Sequence, residues 1–470
     1  MQRFLGRLEI QINIINTNMT QTIKKYLNDS FAARWTALVL VASMMFFAYM
    51  FVDVLSPLST LLETTKGWTA ENYGTFCSSE YFLNVFAFFL IFAGIILDKM
   101  GIRFTGILSG AVMVVGASIK LFAISDMFSQ DSALYGFLNS FWTSFPPTAK
   151  LASVGFMIFG CGVEMAGVTV SKAIARWFKG KEMALAMGLE MAIARLGVFA
   201  VFRLSPYLST ALNEAMPTVV TPVLACTILL LIGLIAYTVF TFMDKKLEQQ
   251  QGATEEESEE QFKISDIGKL FTSKTFLIVA GLCVLYYSAI FPFQKFATGM
   301  LENNLGLSTE KAAGLLSWFP IGAMVLTPFL GAFLDNKGKG ATMLICGALL
   351  MIVCHLTFAL IPLTKTLAYF AIILLGVSFS LVPAALWPSV PKLVEDRYLG
   401  SAYSVIFWIQ NIGLMAFPII IGLALDKTGG YTVPMLIFAS LGILALVLGL
   451  WLKVEDKKHG YGLELPNIKK

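Results

Sequence analysis

Ionisable side chains are few inside the long apolar stretches of this chain, and they are where chemistry can be sought. Asp53, Glu80, Glu164, Glu190, Arg195, Arg203 and Lys295 all lie there, as does Lys120. A charge at mid-membrane depth costs roughly 2.5–3.5 kcal/mol on insertion scales, so each is expected to have a partner or a task. The guanidinium of Arg195 offers a planar fork that matches a carboxylate, with Lys295 or Arg203 to assist it. Glu164 and Asp53 suit an ammonium group, with the polar side chains of Asn84, Tyr287 and Asn411 to orient it. Trp387, beside Pro388, supplies a flat wall. Such a set is a receptor for a small zwitterion. A second reading takes Arg195, Arg203 and Lys295 together as a cage for an organic anion. A buried Glu164 or Asp53 could also carry protons, whereas either one held beside Arg195 would stay ionised and carry none.

Spacing sorts these residues onto helix faces. Tyr49 and Asp53 are four apart and share a face, as do Glu80 and Asn84. Tyr287, Phe291 and Lys295 form a stripe at the same interval. Glu190 and Arg195 are five apart, roughly 140° around a helix, and are not expected to pair.

Other chemistries find little support. The sequence has no grouping of Ser, His and Asp, no HExxH and no phosphate-binding loop, so an enzyme is not expected. His355 and His459 are the only histidines, which excludes a His-rich metal site, and no cofactor is expected. The six cysteines are scattered through apolar stretches without a CxxC, as small packing residues would be. No basic, aromatic-laced stretch suggests nucleic acid.

The elements that must hold the charges in place follow from composition. Of 470 residues 57% are hydrophobic and 14% charged, whereas soluble domains carry about 25% charged residues. Apolar runs of about 20 residues match a hydrocarbon core of about 30 Å. The runs predict twelve spans near 35–56, 72–97, 104–124, 150–172, 182–204, 219–243, 275–300, 312–334, 341–361, 367–390, 399–424 and 433–452. The expected fold is an all-α polytopic membrane protein with two six-helix bundles, 34–243 and 271–452. An N-terminal segment (1–33), a charged linker (244–270) and a tail (453–470) complete the chain. Residues 1–30 lack the pattern of a cleavable signal peptide. Segment 126–148 is expected to be a surface loop with a short interfacial helix. Most of the 34 basic residues fall on the side that holds the termini and the linker, which predicts both termini in the cytoplasm.

The chain also repeats itself. The turn after the second span runs from Gly94 through Asp98, Lys99 and Gly101 to Arg103. The turn after the eighth runs from Gly331 through Asp335 and Lys337 to Gly338. Each has a small residue, three apolar residues, an acid, a base and a glycine. Two copies six spans apart indicate duplication, and paired halves are how many alternating-access carriers are built. A related string, Gly422 to Lys427 with Asp426, ends the eleventh span on the opposite face.

These loops resemble the signature loops of the major facilitator superfamily, over about residues 34–452. The strings 177–182, 194–197, 386–388, 400–403 and 410–414 further resemble the lysosomal dipeptide transporter branch and its prokaryotic relatives. That resemblance implies two bundles rocking around a central site, with Tyr49, Asp53, Asn84, Glu164 and Arg195 matching the branch. It implies a dipeptide or similar zwitterion as substrate and a cell membrane as location, or a lysosomal membrane in a eukaryote. A monomer in the bilayer is expected. The chain departs from the branch at Thr298, where a lysine is expected, and at Glu190, where the branch tends to have glutamine.

Overall fold

The computed structural model describes residues 26–251, 264–395 and 399–466. The Glu255–Glu260 run of the linker lies outside them, as do most of the N-terminal segment and the last four residues. Elements are helical throughout the described chain. Eleven helices are long and apolar enough to cross a membrane, against twelve expected spans. The difference lies in the second span. It is assembled from α3 (Ala70–Ser79), α4 (Phe82–Phe86) and the first part of α5 (Phe89–Ile124). At 1.5 Å per residue the 36 residues of α5 would extend about 54 Å, too long for one crossing. Gly101, at φ +72° and ψ 170°, divides it into the end of the second pass and the whole of the third.

Local chemistry explains why 79–88 is not one continuous helix. The hydroxyls of Ser78 and Ser79 donate back to the carbonyls of Gly74 and Phe76, competing with the helical pattern. Phe88 adopts the left-handed conformation, uncommon for a residue with a side chain.

The remaining passes are single helices: α1 (Phe31–Asp53), α7 (Pro147–Phe178), α8 (Met183–Thr210), α9 (Val220–Gln251), α11 (Lys274–Leu305), α13 (Trp318–Lys337), α14 (Gly340–Leu360), α15 (Lys365–Leu393), α16 (Leu399–Thr428) and α17 (Thr432–His459). Short helices α2 (Ser59–Lys66), α6 (Ala133–Asn139), α10 (Ile264–Thr272) and α12 (Thr309–Leu316) fill connections. The helix of α9 runs on through 244–251, so the charged connector starts later than its composition suggests, and Asp244 is buried.

Packing follows the duplication. In the first half α1 packs on α8 and α9, and α5 on α7; in the second, α14 packs on α15 and α17, and α11 on α17. The seam between the halves is closest where α3 meets α16. A Cβ at Gly74 would clash with the carbonyl oxygen of Pro418, and one at Gly422 with that of Ala70. Backbones therefore meet directly there, as small residues permit in membranes.

The signature turns sit at the end of the bundle that holds the first and last described residues, Tyr26 and Pro466. Asp98 pairs with Lys172 of α7 at 3.1 Å. Arg103 reaches Glu248 and lies 3.9 Å from Asp244, which also faces Arg176 at 3.5 Å and accepts a bond from Trp177. Nearby Arg34 bonds Glu182 through two nitrogens and holds that carboxyl below the usual carboxylate range. In the second half residues 463–465 fold back onto the turn. The backbone N–H groups of Lys339 and Gly340 donate to the carbonyls of Glu464 and Leu463, and the Glu464 carboxylate caps Thr342. Gly101 and Gly338 carry the positive φ that the turns require, at +72° and +73°. A Cβ at Gly94 or Gly331 would meet open space, so no neighbouring helix approaches closely at either glycine.

At the other end of the bundle, bonds join the halves. Thr60 donates to Glu302 at 2.6 Å. The Asp426 carboxylate accepts from the N–H groups of Ala70 and Glu71 at 3.0 and 2.8 Å, capping α3 from the opposite half. Hydrogen bonds to a charged group contribute about 1.5–3 kcal/mol. Asp426→Ala is therefore expected to loosen the start of the second pass. Hydrogen exchange at residues 70–74 should rise in the variant, and unchanged protection there would show that the cap contributes nothing.

Candidate functional site

Successive passes reverse direction, so residues far apart in sequence reach the same depth. Arg195 in α8, Glu164 in α7, Phe291 in α11, Phe379 in α15 and Asn411 in α16 all fall near mid-length of their helices. The Arg195 guanidinium lies 5.6 Å from the ring centre of Tyr49, 5.3 Å from Phe291 and 5.5 Å from Phe379. Tyr49 belongs to the first half and the two phenylalanines to the second. Stacking of this kind holds a cation without neutralising it. Among the described residues Arg195 has no carboxylate within ion-pair distance, and it is only half-buried. Glu190 does not pair with it, as five-residue spacing requires.

Opposite stands a wall of rings from the second half. Tyr287 stacks on Phe291 at 5.6 Å and meets Phe379 edge-on at 5.9 Å. Trp387 stacks on Phe407 at 4.8 Å and donates its indole N–H to the Tyr287 hydroxyl at 3.3 Å. Glu164 does not pair with Arg195. Among the described residues its side chain takes one bond, a long one of 3.4 Å from the Asn411 amide of the second half. Asn84 is buried and its amide oxygen is unpartnered.

Asp53 and Lys295, expected at opposite ends of a zwitterion, instead bond to each other. The Lys295 ammonium donates to Asp53 at 2.9 Å and to the Val52 carbonyl at 3.0 Å. Gln294 and Ser56 donate to the same carboxylate at 2.8 and 2.9 Å. Both partners are buried, and the pair ties α1 to α11 one turn beyond the Arg195 rings. With the Thr60 and Asp426 bonds it closes the site toward the end remote from the signature turns. Thr298, the position where a lysine was expected, is buried with its hydroxyl unpartnered. Arg203 is likewise committed, donating to Ser317 at 2.9 Å. The three-cation cage is therefore not assembled around Arg195 in this conformation.

The surroundings of Lys120 have no signature in the sequence. The Lys120 ammonium is fully buried, 4.4, 5.1 and 4.5 Å from the ring centres of Phe51, Phe76 and Phe156, and makes no hydrogen bond among the described residues. Phe51, Phe76, Phe156 and Lys120 lie on four different helices, so no local pattern announces the cage.

Comparison with known proteins agrees with the fold. The family model described as Major Facilitator Superfamily matches residues 41–418 and 296–465. A lysosomal dipeptide transporter MFSD1 from Danio rerio is 30% identical over 378 residues, covering 79% of this chain and 76% of the relative. Its counterpart from Homo sapiens is 28% identical over 365 residues, covering 76% and 73%. A probable sulfoacetate transporter SauU from Cupriavidus necator is 24% identical over 332 residues, covering 65% and 73%. Among solved structures, the nucleoside transporter NupG (D323A mutant) superposes with a TM-score of 0.66 at 13% identity, covering 88% of this chain and 99% of that one. A D-xylose-proton symporter does so with a TM-score of 0.66 at 12% identity, covering 90% and 97%. The paired halves, the repeated turns and the match over most of the chain give one answer: this chain is a membrane transporter belonging to the Major Facilitator Superfamily.

Proposed function

We propose that the transporter carries small zwitterions, dipeptides first among them, with Arg195 receiving the carboxylate and Glu164 the ammonium. The observation that carries this reading is the Arg195 guanidinium, held by rings from both halves and left without an anion. A substrate carboxylate would supply the missing charge through two parallel hydrogen bonds. Because Phe291 and Phe379 belong to the second half, that exchange of partners would act on the contact between the bundles. Asp53 and Lys295 form the gate rather than the receptor, Asn84, Asn411 and Tyr287 orient the solute, and Trp387 borders its side chains. The halves 34–243 and 271–452 rock about this site, with both termini cytoplasmic and the site closed toward the far side.

The relatives named as dipeptide transporters support the substrate class. The relative named for sulfoacetate supports an organic anion as the second reading, which would need Lys295 or Arg203 released from present partners. The test is a thermal-shift screen of purified protein against neutral, cationic and anionic dipeptides, free amino acids, dicarboxylates and sulfonates, followed by uptake into proteoliposomes. Stabilisation by dipeptides is expected. Stabilisation by dicarboxylates or sulfonates alone would overturn the zwitterion reading.

A further inference from the structure

The break in the second pass holds a carboxylate that the site described so far does not use. Glu80 is 5% exposed and makes no hydrogen bond or ion pair among the described residues, and its Oε2 is fully enclosed. Four residues on, the Asn84 amide oxygen is buried and equally unpartnered. Burying such acceptors without donors is unfavourable, so a native structure that keeps two of them four residues apart at the break calls for an explanation.

The surroundings place this break at the central site. A Cβ at Gly160 would clash with the Glu80 carbonyl oxygen, so α7 lies directly against the break. Glu164 is four residues beyond Gly160 and therefore on the same face of α7, beside Glu80. From the second half, Trp408 donates to the Val85 carbonyl at 3.0 Å, and Asn411, three residues further, reaches Glu164. Two cations stand near, and among the described residues neither comes within ion-pair distance of Glu80. Lys295 spends its bonds on Asp53 and Val52, and Lys120 is enclosed by its three rings.

We propose that Glu80 and Asn84, presented by the broken second pass, complete with Glu164 the receptor for a primary ammonium group of the substrate. A protonated amine has three N–H donors in a compact head, and Glu80, Asn84 and Glu164 offer three acceptors for them. Discontinuous helices are where transporters of other folds expose groups to a bound solute, because backbone and side chains there are freed from the helical pattern. This assignment rests on the zwitterion reading and adds to it the residues that recognise the amine.

The test pairs dipeptides with their N-acetyl derivatives, beginning with alanyl-alanine and N-acetyl-alanyl-alanine and extending to each dipeptide that stabilises the wild-type protein. Wild type is expected to favour the free amine. In Glu80→Gln, affinity for the free amine should fall about tenfold or more, as loss of a hydrogen bond to a charged group implies, while affinity for the N-acetyl form stays within about twofold. Glu80→Asp should restore part of the preference. If Glu80→Gln does not give folded protein, Asn84→Ala reports on the same break, with a smaller loss confined to the free amine. An unchanged preference in these variants, or equal loss for both ligands, would overturn the assignment and leave the zwitterion reading standing. Substrate-free stabilisation by sodium over potassium that disappears in Glu80→Gln would also overturn it, by giving the break to an inorganic cation. If no dipeptide binds wild type, the zwitterion reading itself fails.

Discussion

Arg195→Ala is expected to abolish dipeptide-dependent stabilisation and uptake while the purified protein keeps its fold. Truncating one member of a buried, hydrogen-bonded charge pair weakens binding by about 2–5 kcal/mol, roughly 30-fold to several thousand-fold. The fold should survive because the guanidinium has no protein carboxylate to strand. What is lost internally is three ring contacts, each worth about 0.5–2 kcal/mol. Removing a half-buried charge from an apolar depth offsets part of that. Size-exclusion profiles and melting temperature without substrate should therefore stay close to wild type. Arg195→Lys keeps the charge but not the fork, so it should bind in between. If Arg195→Ala aggregates or melts far below wild type, the residue is a structural rivet between the halves rather than a receptor.

The second large effect is expected at Asp53. Replacing it with Asn leaves the Lys295 ammonium buried without its anion, and breaking such a pair from one side costs about 3–5 kcal/mol. The loss falls on the conformation closed at the far end, because Asp53 and Lys295 belong to different halves. Cys77, buried close to this gate, should become reactive to a thiol reagent in Asp53→Asn when the exposed Cys346 is first replaced by alanine. Combining Asp53→Asn with Lys295→Met removes both charges and should recover much of the lost stability. A double variant no more stable than the single would show that the pair is not the origin of the effect.

Much of the architecture was legible because its causes are local. Apolar runs sized to a bilayer announce the passes, and the repeated acid, base and glycine of 94–103 and 331–338 announce the halves. The charges at 164, 195 and 295 stood out because charge is costly in such runs. What was not legible depends on how the halves meet. Nothing near Asp53 in sequence says that Lys295 will bond to it rather than help Arg195. The string from Gly422 to Lys427 was visible as a relative of the turn, but the work of Asp426 as a cap on α3 appears only when α16 lies against Ala70. The broken second pass was masked by an apolar run that satisfies the length rule, while Ser78, Ser79 and Phe88 interrupt the helix within it. Lys120 needed three rings from three other helices before its burial made sense.

The seam at Gly74 and Gly422 has a consequence for speed. Where backbone lies directly on backbone, the halves can part without long side chains having to disengage and find new rotamers, so little ordering is undone or rebuilt at each pass through the cycle. A contact of that kind behaves like two smooth plates rather than a zip. Its tightness would then govern how fast the carrier turns over, while the affinity for solute is set elsewhere, at the charges between the plates.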